Sequence, residues 1–161
     1  MGIKDKKIED FLEELSSKSP TPGGGAVAAL SGAMAASLVE MVLNITKDEK
    51  LKTKNLKRIK KLRGQLLKLA DDDVAAFDEV MAAYKSKSKL QIRKALGYAT
   101  VVPEKTKALC KEVEHLAGEV VRYGNKNALS DAKTAVLLSR AAQASAEENI
   151  KINKEAIAEL N

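Results

Sequence analysis

PTPGGGAVAALSGAMAASLVEMVLNIT, residues 20–46, places two prolines and three glycines before a long run with a single charge, Glu40. Proline and glycine end a helix and shape a turn, so this stretch predicts a loop followed by a helix over about residues 24–46. Small residues recur every four positions on two adjacent faces of that helix: Ala28, Gly32 and Ala36 on one, and Gly25, Ala29, Ala33 and Ser37 on the other. Another backbone can approach such faces closely, which predicts a helix at the centre of a bundle or of a dimer.

The same helix is also long enough to be tested as a membrane span. Residues 26–43 have a suitable length, but the run contains Glu40 and is rich in alanine, which is only weakly hydrophobic. These features favour a helix buried inside protein, and we expect no membrane association.

The composition around this stretch is typical of a single all-α domain covering residues 1–161. Aromatic residues make up 3%, tryptophan is absent, and the strong helix formers alanine, lysine, leucine and glutamate dominate. Cys110 is the one cysteine, so no disulfide can form within the chain. Together with the charged N-terminal residues, which do not resemble a signal peptide, this leads us to expect a cytoplasmic protein.

Hydrophobic spacing predicts a compact bundle of about six helices, including one long helix over about 51–84. Pro103 is expected to mark a kink or the start of a new helix. Besides the central helix, the predicted helices cover about residues 4–16, 51–84, 89–102, 103–123 and 130–153.

Residues 47–68 form a strongly basic run, with ten lysines and arginines against Asp48 and Glu49. Such a run is usually a solvated helix face, although it could also attract a small polyanion. Aromatic residues for base stacking and recognisable nucleic-acid-binding motifs are missing from it, which argues against nucleic acid as a partner.

The sequence excludes several kinds of chemistry. One cysteine and one histidine, His115, cannot supply a zinc site, so no metal is expected. The glycines are not followed by the lysine and hydroxyl of a P-loop. The groups that remain available for catalysis or ligand binding are carboxylates, lysines and backbone amides. The glycine loop could bind an anion or simply permit a tight turn, and the adjacent carboxylates Asp71–Asp73 could raise one another's pKa.

Several motifs, taken in order, resemble the cyclodeaminase/cyclohydrolase family: residues 20–46, LADDDVAAFDEVMAAYK (69–85), Val102-Pro103, YGNKNALSDA (123–132) and NIKIN (149–153). This family includes the C-terminal domain of formiminotransferase-cyclodeaminase and stand-alone methenyltetrahydrofolate cyclohydrolases. The resemblance implies an all-helical homodimer with helices packed across the two-fold axis and a tetrahydrofolate site near the subunit interface. It implies no cofactor beyond the tetrahydrofolate substrate.

The resemblance implies one of two reactions, and the sequence does not separate them. Family enzymes hydrolyse 5,10-methenyltetrahydrofolate to 10-formyltetrahydrofolate, or release ammonia from 5-formiminotetrahydrofolate. The absence of formiminotransferase sequence favours the cyclohydrolase. A different class of function also stays open, namely a non-catalytic helical dimer that binds an anionic partner through residues 47–68.

Motif position and proton chemistry together give candidate site residues. Asp131 is the first candidate for the catalytic carboxylate, and Asp73 is the second because it occupies the D-x-x-A-F position. The glycines and Asn44 are expected at the pterin end, while Lys126 could pair with the glutamate carboxylates of the folate. The substrate-binding candidates are Pro22, Gly23, Gly24, Gly25, Asn44, Lys126, Asn127 and Ser130.

Overall fold

The computed structural model describes residues 2–160, which fold into an all-α bundle, as predicted. The helices are α1 (Ile8–Ser16), α2 (Gly24–Asn44), α3 (Glu49–Ser86), α4 (Lys89–Tyr123) and α5 (Leu129–Ala158), with short 3₁₀ turns at Ile3–Asp5 and Lys126–Ala128. The described residues therefore contain five α-helices rather than about six.

Two predicted boundaries differ from the structure, and the second of them accounts for the lower number of helices. The helix expected over 4–16 is divided, because a 3₁₀ turn at Ile3–Asp5 precedes α1. The prediction that Pro103 starts a new helix is wrong, since α4 continues through it. Proline in a helix interior removes one backbone hydrogen bond, so tertiary contacts must compensate for that loss.

The central position predicted for α2 is confirmed. It packs against α3, α4 and α5, and its small residues Ala28, Gly32 and Ala36 are buried. A Cβ added to Gly32 would lie 3.2 Å from a Leu66 methyl group and even closer to the Cys110 sulfur, so this position requires glycine. Close helix contact thus explains the run of small side chains.

Helix α2 is long and apolar enough to cross a membrane by length and composition. However, 56% of its most apolar 18-residue window is buried inside the bundle. Contact with three other helices therefore accounts for much of its hydrophobic character.

The long helix α3 begins two residues earlier than predicted because Asp48 caps it. The Asp48 carboxylate accepts hydrogen bonds from the backbone N–H groups of Lys50 and Leu51, at 2.9 and 3.0 Å. At the other end, Lys87 adopts a left-handed conformation that stops the helix, and Ser88 caps α4.

Most of the basic run is exposed at the surface of α3, and some of its side chains pair with carboxylates of neighbouring helices. Lys54 pairs with Glu119 at 2.8 Å and Arg58 with Glu112 at 2.5 Å, which links α3 to α4. Arg63 lies 3.4 Å from Glu40 of α2. The run is thus a solvated helix face with ion pairs to its neighbours, which favours the structural interpretation of residues 47–68.

Candidate active site

A cavity of about 360 Å³ opens at the N-terminus of α2, between α3, α4 and α5. Its volume falls in the usual range for small-molecule sites. The glycine loop and Asp73 form one side, apolar side chains from α3 and α4 form the walls, and α5 closes the other side. The lining residues that the site uses are Thr21, Gly23–Gly25, Asp73, Phe77, Tyr84, Leu96, Ala99, Asn149 and Asn153.

Asp73 lies directly against the start of α2. Its carboxylate accepts a hydrogen bond from the backbone N–H of Ala26, one of the first-turn donors that have no partner within the helix. Burial raises the pKa of Asp73, and the bond from Ala26 only partly offsets this. Asp73 is therefore a carboxyl group poised to exchange protons at higher pH than an exposed aspartate.

Gly25 makes this contact possible. A Cβ at position 25 would lie 2.5 Å from Asp73 Cγ and 2.7 Å from Oδ2, where ordinary contacts begin at 3.4 Å. At Gly24 the nearest atom would be Asn149 Nδ2, at an unstrained 3.8 Å. The steric requirement of the glycine loop is therefore concentrated at Gly25, and the explanation is close approach by a carboxylate.

The three adjacent aspartates of α3 have different surroundings. Asp71 accepts a hydrogen bond from the Ile3 N–H at 2.6 Å, and Asp72 pairs with Lys68 at 2.8 Å. The prediction that these carboxylates raise one another's pKa is wrong for Asp73, because the cause of its shift is burial. Only Asp73 of the three lines the cavity.

Two asparagines of α5 face Asp73 across the cavity. The amide nitrogen of Asn149 donates to the Ser145 carbonyl at 2.9 Å, and that of Asn153 donates to the Ala99 carbonyl at 3.2 Å. Neither was among the residues predicted to form the site, although they are the first and last residues of the NIKIN segment. The sequence feature that could have indicated these residues is the pair of amides one helical turn apart on an alanine-rich helix.

The other predicted residues lie at the opposite end of α2. Asn44 is exposed at its C-terminus, and the backbone N–H of Asn125 donates to Thr46 Oγ1 at 3.1 Å, which holds the loop before α5 at that end. A 21-residue helix is about 30 Å long, so this cluster is remote from the glycine loop of the same chain. The residues placed here are Asn44, Lys126, Asn127, Ser130 and Asp131.

The predicted residues thus form two groups within one chain. Gly23, Gly24, Gly25 and Asp73 come together in the cavity, whereas Pro22 is buried beside them and does not line it. Asp131 is partly buried in the first turn of α5 and does not meet Asp73.

A second groove, of about 550 Å³, runs between α4 and α5. Its carboxylates are already paired: Arg140 contacts Glu114 at 2.6 Å, and Lys54 contacts Glu119 at 2.8 Å. Hydrogen bonds from these cations hold the pKa of both glutamates below its usual value. This groove offers no unpaired carboxylate for proton transfer, and the smaller cavity beside Asp73 is the better candidate.

Comparison with known proteins identifies the family of the chain. A family model described as formiminotransferase-cyclodeaminase matches residues 7–161. The chain belongs to this family. Its relatives in the formiminotransferase-cyclodeaminase family include the methenyltetrahydrofolate cyclohydrolase of Methylorubrum extorquens, which is 42% identical over 92% of this chain and 79% of the relative. The rat formimidoyltransferase-cyclodeaminase is 26% identical over 83% of this chain and 28% of its own length.

A solved family structure has the same fold. The crystal structure of formiminotetrahydrofolate cyclodeaminase from Thermotoga maritima matches with a TM-score of 0.91 and 33% identity, over 96% of this chain and 81% of that one. The family expected from the sequence motifs is therefore confirmed.

Proposed function

We propose that this protein is a methenyltetrahydrofolate cyclohydrolase. The observation that carries the proposal is the partly buried Asp73 carboxylate, held against the start of α2 in a cavity with apolar walls. The 42% identity to a protein named methenyltetrahydrofolate cyclohydrolase, over most of both chains, supports the choice of reaction.

The reaction adds water to the cationic methenyl carbon that joins N5 and N10. A carboxylate takes a proton from the attacking water, which gives a tetrahedral carbon that carries a hydroxyl group. The carbon–N5 bond then breaks as N5 is protonated, the hydroxyl becomes the formyl carbonyl, and one proton is released overall. A nearby carboxylate also stabilises the cationic substrate. Asp73 has the burial and raised pKa that suit this base.

A homodimer would bring the two groups of predicted residues together. One face of α2 remains directed to solvent and is largely apolar, with Met34 at its midpoint 53% exposed. If two such faces pack across a two-fold axis at Met34, the helices run antiparallel. Gly24 then lies near the partner subunit's Asn44, and the partner subunit's Asp131 approaches the cavity.

In that dimer the partner's residues would complete the folate site. Asp131 would be a second carboxylate for proton transfer, and Lys126 would pair with the glutamate tail. Asn127 and Ser130 would contact the same part of the ligand. Asp73 and the glycine loop would hold the pterin end.

The cyclodeaminase is the second candidate, favoured by the 33% identical Thermotoga maritima structure. Both reactions pass through a tetrahedral carbon between N5 and N10, so the same cavity would serve either one. The non-catalytic alternative is weakened by the ion pairs that occupy Lys54, Arg58 and Arg63.

The test follows the near-ultraviolet absorbance of 5,10-methenyltetrahydrofolate, whose loss must exceed the spontaneous rate. Asp73→Asn and Asp131→Asn should each reduce the rate by at least about 100-fold if each group transfers a proton. Asp72→Asn, which alters a neighbouring carboxylate outside the cavity, is the matched control and should retain activity. Ammonia release from 5-formiminotetrahydrofolate without hydrolysis of the methenyl substrate would instead establish the cyclodeaminase.

A further inference from the structure

Asn149 and Asn153 stand out because they oppose the local preference of their helix. Asparagine is a poor residue for a helix interior, yet both lie well inside α5 among alanines and good helix formers. Their spacing of four residues places both side chains on one face, and that face lines the cavity. Residues that oppose the local preference of their helix often mark a functional site.

The hydrogen bonds of the two amides determine which atom is left for a ligand. Each NH₂ group donates to a backbone carbonyl, of Ser145 for Asn149 and of Ala99 for Asn153. Within residues 2–160, no donor bonds either Oδ1 atom. The cavity therefore presents two free amide acceptors, in addition to the carboxylate of Asp73.

Pro103 explains why Asn153 finds a carbonyl on α4. In a regular helix the Ala99 carbonyl would accept from the N–H of residue 103, but proline has no N–H. Asn153 supplies the missing donor from α5 at 3.2 Å. The proline thus helps orient the Asn153 amide, with its NH₂ towards α4 and its Oδ1 available to the cavity.

We infer that Asn149 and Asn153 recognise the pterin ring of the folate by accepting hydrogen bonds from its N–H groups, an inference that rests on the proposed function. A reduced 2-amino-4-oxopteridine carries several such donors around a flat ring. The apolar walls, which include Phe77 and Leu96, suit the faces of this ring. Pro103 is a positioning residue that acts through Asn153.

Binding measurements separate this role from catalysis. The probes are 5-formyltetrahydrofolate, which contains the reduced pterin, and p-aminobenzoylglutamate, which lacks it; both are titrated calorimetrically into the full chain. Asn149→Leu and Asn153→Leu should each weaken 5-formyltetrahydrofolate binding about tenfold or more, because ligand donors lose their acceptor. Binding of p-aminobenzoylglutamate should not change.

Gln143→Leu is the matched control. Gln143 also lies on α5 and donates to the carbonyl four residues earlier, that of Ser139, but it does not line the cavity. This variant should bind both probes as the unmodified protein does. Pro103→Ala, which restores an N–H to α4, should raise the melting temperature and still weaken binding of the pterin probe.

The outcomes distinguish this inference from the proposed function. Equal loss of both probes in the asparagine variants, unchanged pterin binding, or no pterin binding by the unmodified protein would overturn the inference, whatever the activity. Selective loss of pterin binding supports it even if the protein fails to hydrolyse 5,10-methenyltetrahydrofolate, in which case only the proposed reaction is wrong.

Discussion

Gly25→Ala is the substitution that most directly tests the contact between Asp73 and α2. The added Cβ would lie 2.5 Å from Asp73 Cγ and closer still to Oδ1, so the carboxyl group must retreat by more than about 0.9 Å to reach an ordinary contact. That movement breaks the hydrogen bond from the Ala26 N–H. A hydrogen bond to a charged group contributes about 1.5–3 kcal/mol, whereas alanine gains about 0.5–1 kcal/mol over glycine within a helix.

The variant should therefore be less stable by about 1–2 kcal/mol, which lowers the melting temperature of a domain of this size by roughly 2–8 °C. If Asp73 is the proposed base, turnover of 5,10-methenyltetrahydrofolate should fall by about 100-fold or more, because the carboxylate is displaced from the cavity. Thermal unfolding and the absorbance assay measure the two effects.

Gly24→Ala is the control for this experiment. It makes the same chemical change one residue earlier, where the nearest atom would be at 3.8 Å, so stability should stay the same or rise slightly. If Gly25→Ala matches Gly24→Ala in both melting temperature and turnover, the contact between Asp73 and α2 does not have the role argued for it.

Four further predictions concern Asp73, Met34 and Cys110, and two of them are for Asp73. Because burial raises the pKa of Asp73, the acid limb of the rate profile should lie above the ordinary aspartate range of about 4. The stability that this carboxyl group contributes is present below its unfolded pKa and is lost as the pH rises through its raised folded pKa. At pH 7, Asp73→Asn should therefore be at least as stable as the unmodified protein. A clear drop in the urea midpoint of the variant would contradict this. In the proposed dimer, Met34→Glu should place two carboxylates at the two-fold axis, so sedimentation velocity should show monomers and turnover should be lost. An active dimer of this variant would exclude the α2 interface. Burial raises the pKa of the Cys110 thiol to about 12, so a thiol reagent should label it only at the rate of unfolding, and rapid labelling of the folded protein would refute its buried position.

The elements that could be predicted from the sequence are those that local chemistry determines. The glycine loop, the central α2 and the long α3 follow from turn residues and from spacing, and α3 differs from its prediction by two residues at each end. The continuation of α4 through Pro103 could not be predicted from the neighbouring sequence, because the donor that compensates for the proline lies 50 residues later, at Asn153.

The candidate site was predictable only in part for the same reason. The glycine loop and Asp73 were both identified as candidates, but their contact depends on the packing of α2 against α3. The group around Asp131 was assigned to the same site because the order of motifs in a sequence does not show how far apart they lie in the fold. In one chain the length of α2 separates the two groups, so any shared site requires a second subunit.

Helix geometry gives the three adjacent aspartates of α3 different surroundings and therefore different roles. Successive residues of a helix point about 100° apart, so neighbours cannot share one environment. Asp71 turns towards the N-terminal segment and bonds Ile3, Asp72 turns outward to Lys68, and Asp73 turns towards the start of α2. Two of these carboxylates are occupied by a backbone donor or a lysine in a structural role. Asp73 bonds a backbone donor as well, yet it is the one that also borders the cavity, which leaves its other oxygen available for a ligand or a proton.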